Sequence, residues 1–331
     1  MDMKAPFISI ILPTYNVEKY LLKCLESISA QTYHHYEVII IIDGATDHSY
    51  QIAKDYCSKH DNFSVYYQEN AGSGPARNHG IVHAVGELIM FVDPDDWLDT
   101  KLLEELVSAQ VQGDYDITTS RKRSYRDNND VVTELPLPKY VPLHMVNQIE
   151  MIKNHKAVIE AGYCSAPTRT LYKLSIIKKY RIKFPSLRRS QDVAFNCLYY
   201  QYAQSFKSIE YVGYNYRIIP KTGVAKDRSK YHETFITLYQ MFEDMYTAWG
   251  IEFDKVYFAS HLFGKYFYSS LRLCVKQKVD IKSILTKEDV YSIIKFVHPS
   301  FNPAGFTALL IKARLFTLTK HFLLLINYLK S

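Results

Sequence analysis

Residues Leu88–Trp97 have the sequence LIMFVDPDDW, in which an apolar run leads directly into three aspartates within four positions. The run has the length and composition of a strand that is buried on both faces. Asp93, Asp95 and Asp96 follow at its carboxyl end. Crowded carboxylates repel one another unless a cation offsets their charge, and hard divalent cations that bridge phosphates use one or two carboxylates. The stretch therefore predicts a metal–diphosphate site, with helix capping by Asp95 or Asp96 as the alternative.

The residues before this stretch alternate short apolar runs with segments of helical periodicity. Continuous Ile and Val runs are typical of parallel strands covered on both faces, so the alternation predicts an open α/β sheet between helices. In such sheets ligands bind beyond the carboxyl ends of the strands. The predicted strands are Phe7–Leu12, Glu37–Ile42, Ser64–Tyr67 and Leu88–Val92, and the predicted helices are Glu18–Ala30, Asp47–Lys59 and Pro75–Val85.

The later part of the chain has a less regular pattern, which changes to helical periodicity from about Lys230 to the end. A polar, charged stretch, Arg121–Asp130, predicts an exposed hairpin or insertion. The remaining predicted strands are Tyr115–Ser120, Cys164–Tyr172 and Tyr211–Arg217, and the predicted helices are Met145–Ala161 and Gln191–Tyr202.

Three further motifs follow predicted strands. Pro13-Thr14-Tyr15-Asn16 predicts a turn whose backbone and hydroxyls could hold a base or a ribose, and it lacks the glycines of a dinucleotide-binding G-x-G-x-x-G loop. Asp43 could accept a hydrogen bond from a nucleobase or a ribose, or act as a turn residue, and Asp47 is predicted to cap a helix. Asn70–Gly80, NAGSGPARNHG, allows close backbone approach, and its Arg77 could bind a diphosphate.

Composition and charge narrow the class of protein. The chain has 331 residues, 47% of them hydrophobic, and five irregularly spaced cysteines, which favours a folded protein of a reducing compartment. No signal peptide is predicted.

Residues 261–331 hold 11 Lys and Arg against 3 Asp and Glu. Interleaved apolar residues favour an anionic membrane surface over nucleic acid as the partner of this basic region, and a solvated basic helical face is the alternative.

The segment Ala304–Leu329 is apolar, but Lys312, Arg314 and Lys320 interrupt it. The uninterrupted runs are shorter than the about 20 residues that a membrane-spanning helix needs. The pattern predicts a helix that lies on a membrane or docks on the protein itself.

Taken together, the four motifs resemble those of the inverting family 2 glycosyltransferases of the GT-A fold, among them enzymes of bacterial capsule, exopolysaccharide and lipopolysaccharide synthesis. Ile8–Asn16 resembles the family's V-S-I-I-x-P-x-Y-N, Glu37–Asp47 its E-I-I-I-V-D-D-G-S-T-D, Asn70–Gly80 its N-x-G-x-x-x-A-R-N-x-G, and Asp93–Asp95 its D-x-D. The resemblance implies an open, mostly parallel sheet with a C-terminal helical region.

The resemblance also implies roles for single residues. Asp43 would recognise uracil, Arg77 would lie near the donor phosphates, Asp93 would touch the ribose or the metal, and Asp95 would bind Mn²⁺ or Mg²⁺. The predicted donor-binding set is Pro13, Thr14, Tyr15, Asp43, Arg77, Asp93 and Asp95, with Asp93 and Asp95 as metal ligands.

The family's E-D pair, which supplies the catalytic base, corresponds to Gln191-Asp192. Asp192 is therefore the predicted base, and an N-terminal helix residue favoured by the helix dipole is the alternative. Gln191 and Trp97 are predicted to bind the acceptor, although Gln191 lacks the charge of the family's Glu. Ile42 also departs from the family, since it replaces the first Asp of D-D-G.

The predicted function is metal-dependent transfer of a sugar, with inversion to a β-linkage, from UDP-Gal, UDP-Glc or UDP-GlcNAc/GalNAc to a glycan or lipid-linked acceptor. Residues 1–228 would form the catalytic domain, with a donor half at 6–113 and an acceptor half at 114–228, and residues 229–331 a basic helical region. The enzyme would be cytoplasmic and peripheral at the inner face of the membrane.

Strand Tyr211–Arg217 and loop Pro220–Gly223 would close over the donor. In the alternative, Arg217 is only a surface residue of that strand. A catalytically silent glycan- or nucleotide-binding subunit is the rival interpretation. A processive synthase or a nucleotidyltransferase would need motifs that the sequence lacks.

Overall fold

The computed structural model describes residues 5–128, 131–187, 190–219, 231–300 and 302–329. The described residues fall into two compact units, one drawn from 1–186 and 191–222 and the other from 187–190 and 223–331. The predicted domain boundary at 228/229 and the predicted loop Pro220–Gly223 lie outside the described residues. Both therefore stay predictions.

A mixed sheet forms the centre of the first unit, and its described residues give ten strands. The strand order is β3-β2-β1-β4-β9-β6-β10-β5, with β7 paired to β6 and β8 paired to β10. β1, β2, β3 and β4 are parallel, as are β6 and β10, whereas β9 runs antiparallel to β4 and β6. The strands are β1 Ile8–Thr14, β2 Tyr36–Asp43, β3 Phe63–Gln68, β4 Leu88–Phe91, β5 Trp97–Leu98, β6 Ile117–Asn128, β7 Val131–Glu134, β8 His144–Met145, β9 Thr170–Lys173 and β10 Phe206–Ile218.

Helices cover the sheet, which explains why β1, β2 and β4 are largely apolar. All seven residues of β1 are buried, and seven of the eight residues of β2 are buried. The predicted mostly parallel α/β sheet is confirmed. The helices of this unit are α1 Glu18–Ser29, α2 Ser49–Cys57, α3 Ser73–His83, α4 Leu102–Gly113, α5 Gln148–Glu160, α6 Leu174–Tyr180 and α7 Gln191–Tyr200.

Two predictions on the later strands need correction. The stretch Arg121–Asp130 was expected to be an exposed hairpin or insertion, and β6 does form a hairpin with β7, but it continues as a strand to Asn128. Asp127 within it is only 3% exposed, because it pairs with a buried arginine of β10. The strand predicted at Cys164–Tyr172 begins only at Thr170, after a series of turns.

The second unit is helical, as predicted, throughout its described elements. A cluster of buried phenylalanines, including Phe235, Phe258 and Phe267, forms its core. No helix among the described residues has the length and apolar character needed to cross a bilayer. The elements are α8 Tyr231–Ala248, α9 Lys255–Leu262, a π-helical turn Phe263–Phe267, α10 Tyr268–Lys276, α11 Ile281–Leu285, α12 Glu288–Ile294, α13 Pro303–Lys312 and α14 Phe316–Tyr328.

Candidate active site

Arg77 of α3 connects two of the predicted site carboxylates. Its Nη2 donates to Asp93 Oδ1 at 2.7 Å, and its Nη1 donates to Asp192 Oδ1 at 2.9 Å. The arginine side chain is 4% exposed, and its guanidinium lies over the ring of Phe184. Its predicted position near the donor phosphates stays a prediction, and in the structure two carboxylates share its charge. Its role in the structure is to hold Asp93 and Asp192 together at one edge of the sheet.

Asp192 is the second residue of α7, and its side chain remains 34% exposed. Burial raises the pKa of this carboxyl group above its usual value, the positive charge of Arg77 lowers it, and Asp93 raises it. A carboxylate with a raised pKa that still faces solvent is suited to accept a proton from a bound hydroxyl. This environment is compatible with the general base predicted at Asp192, and that role stays a prediction.

The three aspartates after β4 have different partners. Asp96 is buried, accepts hydrogen bonds of 2.7 Å from the Tyr214 hydroxyl and from the Arg217 amide, and so ties this segment to β10. Burial and the charges of Asp93 and Asp95 raise the pKa of Asp96 well above its usual range. Helix capping does not explain these residues, because the short strand β5 follows them and α4 begins only at Leu102.

Asp95 is the aspartate whose carboxylate is best placed for a cation. Among the described residues no side chain donates a hydrogen bond to it, and burial together with the charge of Asp93 raises the pKa of Asp95 to about 6. No described cluster of three or more His, Cys, Asp or Glu side chains is arranged to hold a metal by itself. Mg²⁺ commonly binds to one or two carboxylates plus substrate phosphates. Asp95, with the oxygen of Asp93 that Arg77 leaves open, fits such a site.

Asp43 holds the glycine-rich loop in place. Its Oδ1 accepts hydrogen bonds from Gln68 Nε2 and from the Ala71 amide, and its Oδ2 accepts one from the Gly72 amide, all at 2.8 Å. The residue is 2% exposed. Asp43 was predicted to recognise uracil, and in the structure most of its capacity to accept hydrogen bonds is used within the chain. It shapes the loop that precedes α3.

The predicted PTYN turn begins two residues later than expected. Pro13 and Thr14 belong to β1 and are buried, and the Thr14 hydroxyl donates to the Leu12 carbonyl. Their side chains are therefore not open to a ligand. Tyr15 is 48% exposed, and Asn16, with φ of 48°, bonds to Thr46 of the neighbouring loop. Tyr15 is the residue of this motif whose side chain remains available for donor binding.

The two residues predicted to bind the acceptor lie in different places. The Gln191 side chain packs against Gly74 and accepts a hydrogen bond from the Ser73 hydroxyl at 3.5 Å, so it contacts the glycine-rich loop. Trp97 lies in β5, with Lys23 Nζ 3.8 Å from its ring centroid and the Arg217 guanidinium 4.9 Å away. Acceptor binding by either residue stays a prediction.

Arg217 has a larger role than the sequence suggested. It is 7% exposed, its Nε donates to the Asp95 carbonyl at 2.8 Å, and its Nη1 forms a 2.7 Å ion pair with buried Asp127. Tyr214 of the same strand bonds both Asp93 and Asp96. Sequence reasoning missed Tyr214 and Asp127. The available signal was the predicted strand Tyr211–Arg217 itself, because its pairing with β5 and with β6 creates these contacts.

Known proteins share this arrangement of strands and motifs. A family model described as glycosyl transferase family 2 matches residues 9–180. The chain belongs to this family. EpsH of Bacillus subtilis (strain 168), a putative glycosyltransferase, is 30% identical over 72% of the chain and 68% of its own length. EpsJ of the same strain, an uncharacterized glycosyltransferase, is 31% identical over 66% of the chain and 62% of its own length.

The fold of this glycosyltransferase is also similar to that of solved structures. Residues 1–349 of Staphylococcus aureus TarS, crystallised in complex with UDP-GlcNAc, match with a TM-score of 0.70 at 19% identity, over 95% of this chain and 90% of that one. The match confirms the predicted GT-A fold with its C-terminal helices. The prediction of a family 2 glycosyltransferase is likewise confirmed. The family match ends at residue 180, so Asp192 lies beyond it.

Proposed function

We propose that this glycosyltransferase moves a sugar from a UDP-sugar to a hydroxyl group of a glycan or lipid-linked acceptor, with inversion at the anomeric carbon. The observation that supports this best is the ion-pair cluster in which Arg77 holds Asp93, on the predicted donor side, and Asp192, the predicted base. An in-line displacement needs leaving group and base on opposite sides of one reacting carbon. The cluster fixes the two carboxylates at a common edge of the sheet.

In this proposal Asp192 takes the proton of the acceptor hydroxyl while that oxygen attacks the anomeric carbon and the bond to UDP breaks. An α-linked donor then gives a β-linked product. General base catalysis of this kind typically contributes about 10² to 10⁴ in rate. The raised pKa of Asp192 strengthens it as a base relative to an ordinary carboxylate.

A divalent cation belongs to this proposal as the partner of the donor diphosphate. Asp95 and Asp93 would hold it, because the carboxylate of Asp96 is already bonded to Tyr214 and Arg217. Bound there, Mn²⁺ or Mg²⁺ would offset the negative charge that develops on the departing diphosphate. Tyr15, whose side chain is exposed, would contact the nucleoside.

The proposed setting is surface polysaccharide synthesis at the inner face of the cell membrane. Support comes from the second unit, whose helices α13 and α14 expose Phe306, Leu309, Leu318 and Leu325 on a basic background. Exposed apolar side chains beside Lys and Arg are typical of helices that bind anionic membranes. Flotation of the full-length protein with vesicles of phosphatidylglycerol tests this, since L318E with L325E should abolish co-flotation. Equal flotation of this variant and the wild type would exclude the surface.

Release of UDP from a panel of UDP-sugars by the purified full-length protein tests the proposed reaction. We expect turnover of UDP-Gal, UDP-Glc or an N-acetylhexosamine donor with Mn²⁺, and loss of turnover on adding EDTA. Metal-dependent turnover of one donor would identify the sugar. Absence of turnover together with absence of metal-dependent UDP binding would favour the silent binding subunit instead.

A further inference from the structure

A small basic pocket lies in the first unit beside the carboxylate cluster. Its volume is about 150 Å³, and the positively charged side chains of Arg121, Lys122, Lys139 and Arg169 line it. The phenol rings of Tyr140 and Tyr163 lie beside these cations, with Arg121 over Tyr140 and Arg169 over Tyr163. The volume is well below the roughly 300 Å³ or more of a site for a whole small molecule, and suits a single ionised group.

Arg169 is the most unusual member of this pocket. It is 6% exposed and donates to the carbonyl oxygens of Ser120 and Gly162, while its Nε is buried without a hydrogen-bond acceptor among the described residues. Its backbone has φ of 60°, a left-handed conformation that is strained for a residue with a side chain. Burying a cation is unfavourable unless a negative charge lies against it. The carbonyl dipoles compensate this charge only in part.

None of the four cations forms an ion pair within the described part of the chain. No ion pair within 4.0 Å joins Arg121, Lys122, Lys139 or Arg169 to a described Asp or Glu, although the neighbouring Arg123 forms two such pairs. Burial and the charge of Arg169 lower the pKa of Lys122, and the charges of Asp96 and Asp93 offset this only in part, so Lys122 and Arg169 repel each other. An anion in the pocket would relieve both the repulsion and the cost of burial.

The pocket lies next to the proposed site of transfer. Lys122 pairs in the sheet with Tyr214, whose hydroxyl bonds Asp96, and the Lys122 Nζ lies 4.1 Å from the ring centroid of Tyr216. Thr168, adjacent to Arg169, forms a bridge with Phe91 at the end of β4. All the lining residues belong to the range 121–169, within the predicted acceptor half.

We propose that this pocket binds an anionic group of the acceptor, a phosphate or a sugar carboxylate, and thereby orients the acceptor beside Asp192. The donor diphosphate is already provided for at Asp93 and Asp95, so the pocket serves a second anion. Its assignment to the acceptor rests on the proposed transfer reaction, whereas its affinity for anions does not. Acceptors without such a charge would bind with a higher KM.

Calorimetric titration of the full-length protein tests the pocket without turnover. Saturating UDP and Mg²⁺ fill the donor site, and methyl phosphate, methyl β-D-glucuronide or the neutral methyl β-D-glucoside is then added. We expect one of the two anions to bind and the glucoside not to bind. Because a charge-assisted hydrogen bond is lost, K122Q should weaken binding of that anion about tenfold. K139Q, at the exposed side of the pocket, should have a smaller effect of the same sign.

K153Q is the matched control, because Lys153 is an exposed lysine of α5 that does not line the pocket. It should bind the anion as the wild type does. R169Q removes two bonds to carbonyl groups and is interpreted only if its circular dichroism and Tm match the wild type. Absence of saturable binding of either anion to the wild type, or equal binding to K122Q, overturns the proposal. If the protein binds the anion but releases UDP from no donor, the anion site is supported and its assignment to an acceptor is contradicted.

Discussion

Arg77 and Asp192 are 115 positions apart in the sequence, yet Nη1 of the arginine donates a 2.9 Å hydrogen bond to the aspartate. The other arm of the same guanidinium holds Asp93. The proposed base and the first aspartate of the D-x-D motif are thus linked through one buried cation. Any change in that cation alters the position of both carboxylates and the pKa of Asp192.

Asp192→Asn should abolish transfer and leave donor binding nearly unchanged. The amide keeps the shape of the side chain and can still accept from Arg77, but it cannot accept a proton from a hydroxyl group. We expect kcat to fall by about 10² to 10⁴, while calorimetry with UDP and Mn²⁺ gives an affinity close to that of the wild type. D61N, at an exposed loop position, is the control. Equal loss of UDP binding and of transfer would exclude Asp192 as the base.

Arg77→Gln should destabilise the fold as well as the site, because it leaves Asp93 and Asp192 without their shared counter-charge. Breaking a buried ion pair costs about 3 to 5 kcal/mol, and we expect the lower end because both carboxylates are about one-third exposed. Urea denaturation measures the change, with R126Q as the control at an exposed arginine. A shift no larger than that of R126Q would contradict the bridging role. If the loss arises from the unpaired carboxylates, adding D192N to R77Q should recover part of the stability.

Binding of the metal–donor complex should weaken below about pH 6. The pKa of Asp95 is raised to about 6, so the carboxyl group is protonated below that pH and the cation must displace the proton. We expect the affinity of the D192N protein for Mn²⁺ and UDP-glucose to fall by up to about tenfold per pH unit below this point, since one proton is exchanged. The titration uses UDP-glucose and not UDP, because the diphosphate of UDP-glucose does not titrate near pH 6. Constant affinity down to about pH 5 would show that Asp95 does not bind the metal.

Gly44→Ala should cost more stability than its backbone conformation alone explains. Gly44 has φ of +65°, and a Cβ there would lie 2.6 Å from the Asn70 amide nitrogen, which belongs to the loop held by Asp43. Gly162 has a similar φ of +76°, with its nearest atom at 3.9 Å. Left-handed strain costs about 1 to 2 kcal/mol in both variants. The additional loss of stability of G44A over G162A in urea denaturation therefore measures the clash with Asn70. UDP affinity should fall in G44A alone. Equal effects of the two substitutions would show that the loop moves freely.

The sequence predicted the first four strands to within two residues at each end, because runs such as Val38–Ile42 have no stable place except between covering helices. The prediction ended β6 too early, at Ser120, because the residues after Ser120 are polar. Asp127 is nonetheless buried, because Arg217 of β10 neutralises it. Pairings of this kind depend on register between strands distant in the sequence, and no local pattern encodes them.

The same limit explains the site residues. The end of each strand indicated Asp43, Asp93 and Asp95, since parallel strands bring their carboxyl ends to one edge. The sequence could not show which carboxylate oxygens would accept hydrogen bonds from other residues of the chain. Asp43 bonds its own loop and Arg77 bonds two carboxylates, so both residues organise the site, and the ligand contacts expected of them stay predictions.

The D-x-D segment depends for its shape on a strand made much later in synthesis. Tyr214 bonds Asp96 across 118 positions, and Arg217 bonds the Asp95 carbonyl across 122. At ribosomal speeds of about 5 to 20 residues per second, the aspartates leave the ribosome on the order of ten seconds before β10. During that interval the nascent chain carries the aspartates, but Asp96 and the Asp95 carbonyl lack the hydrogen-bond partners that fix their positions. The aspartate segment therefore takes its final shape only when β10 takes its place between β6 and β5.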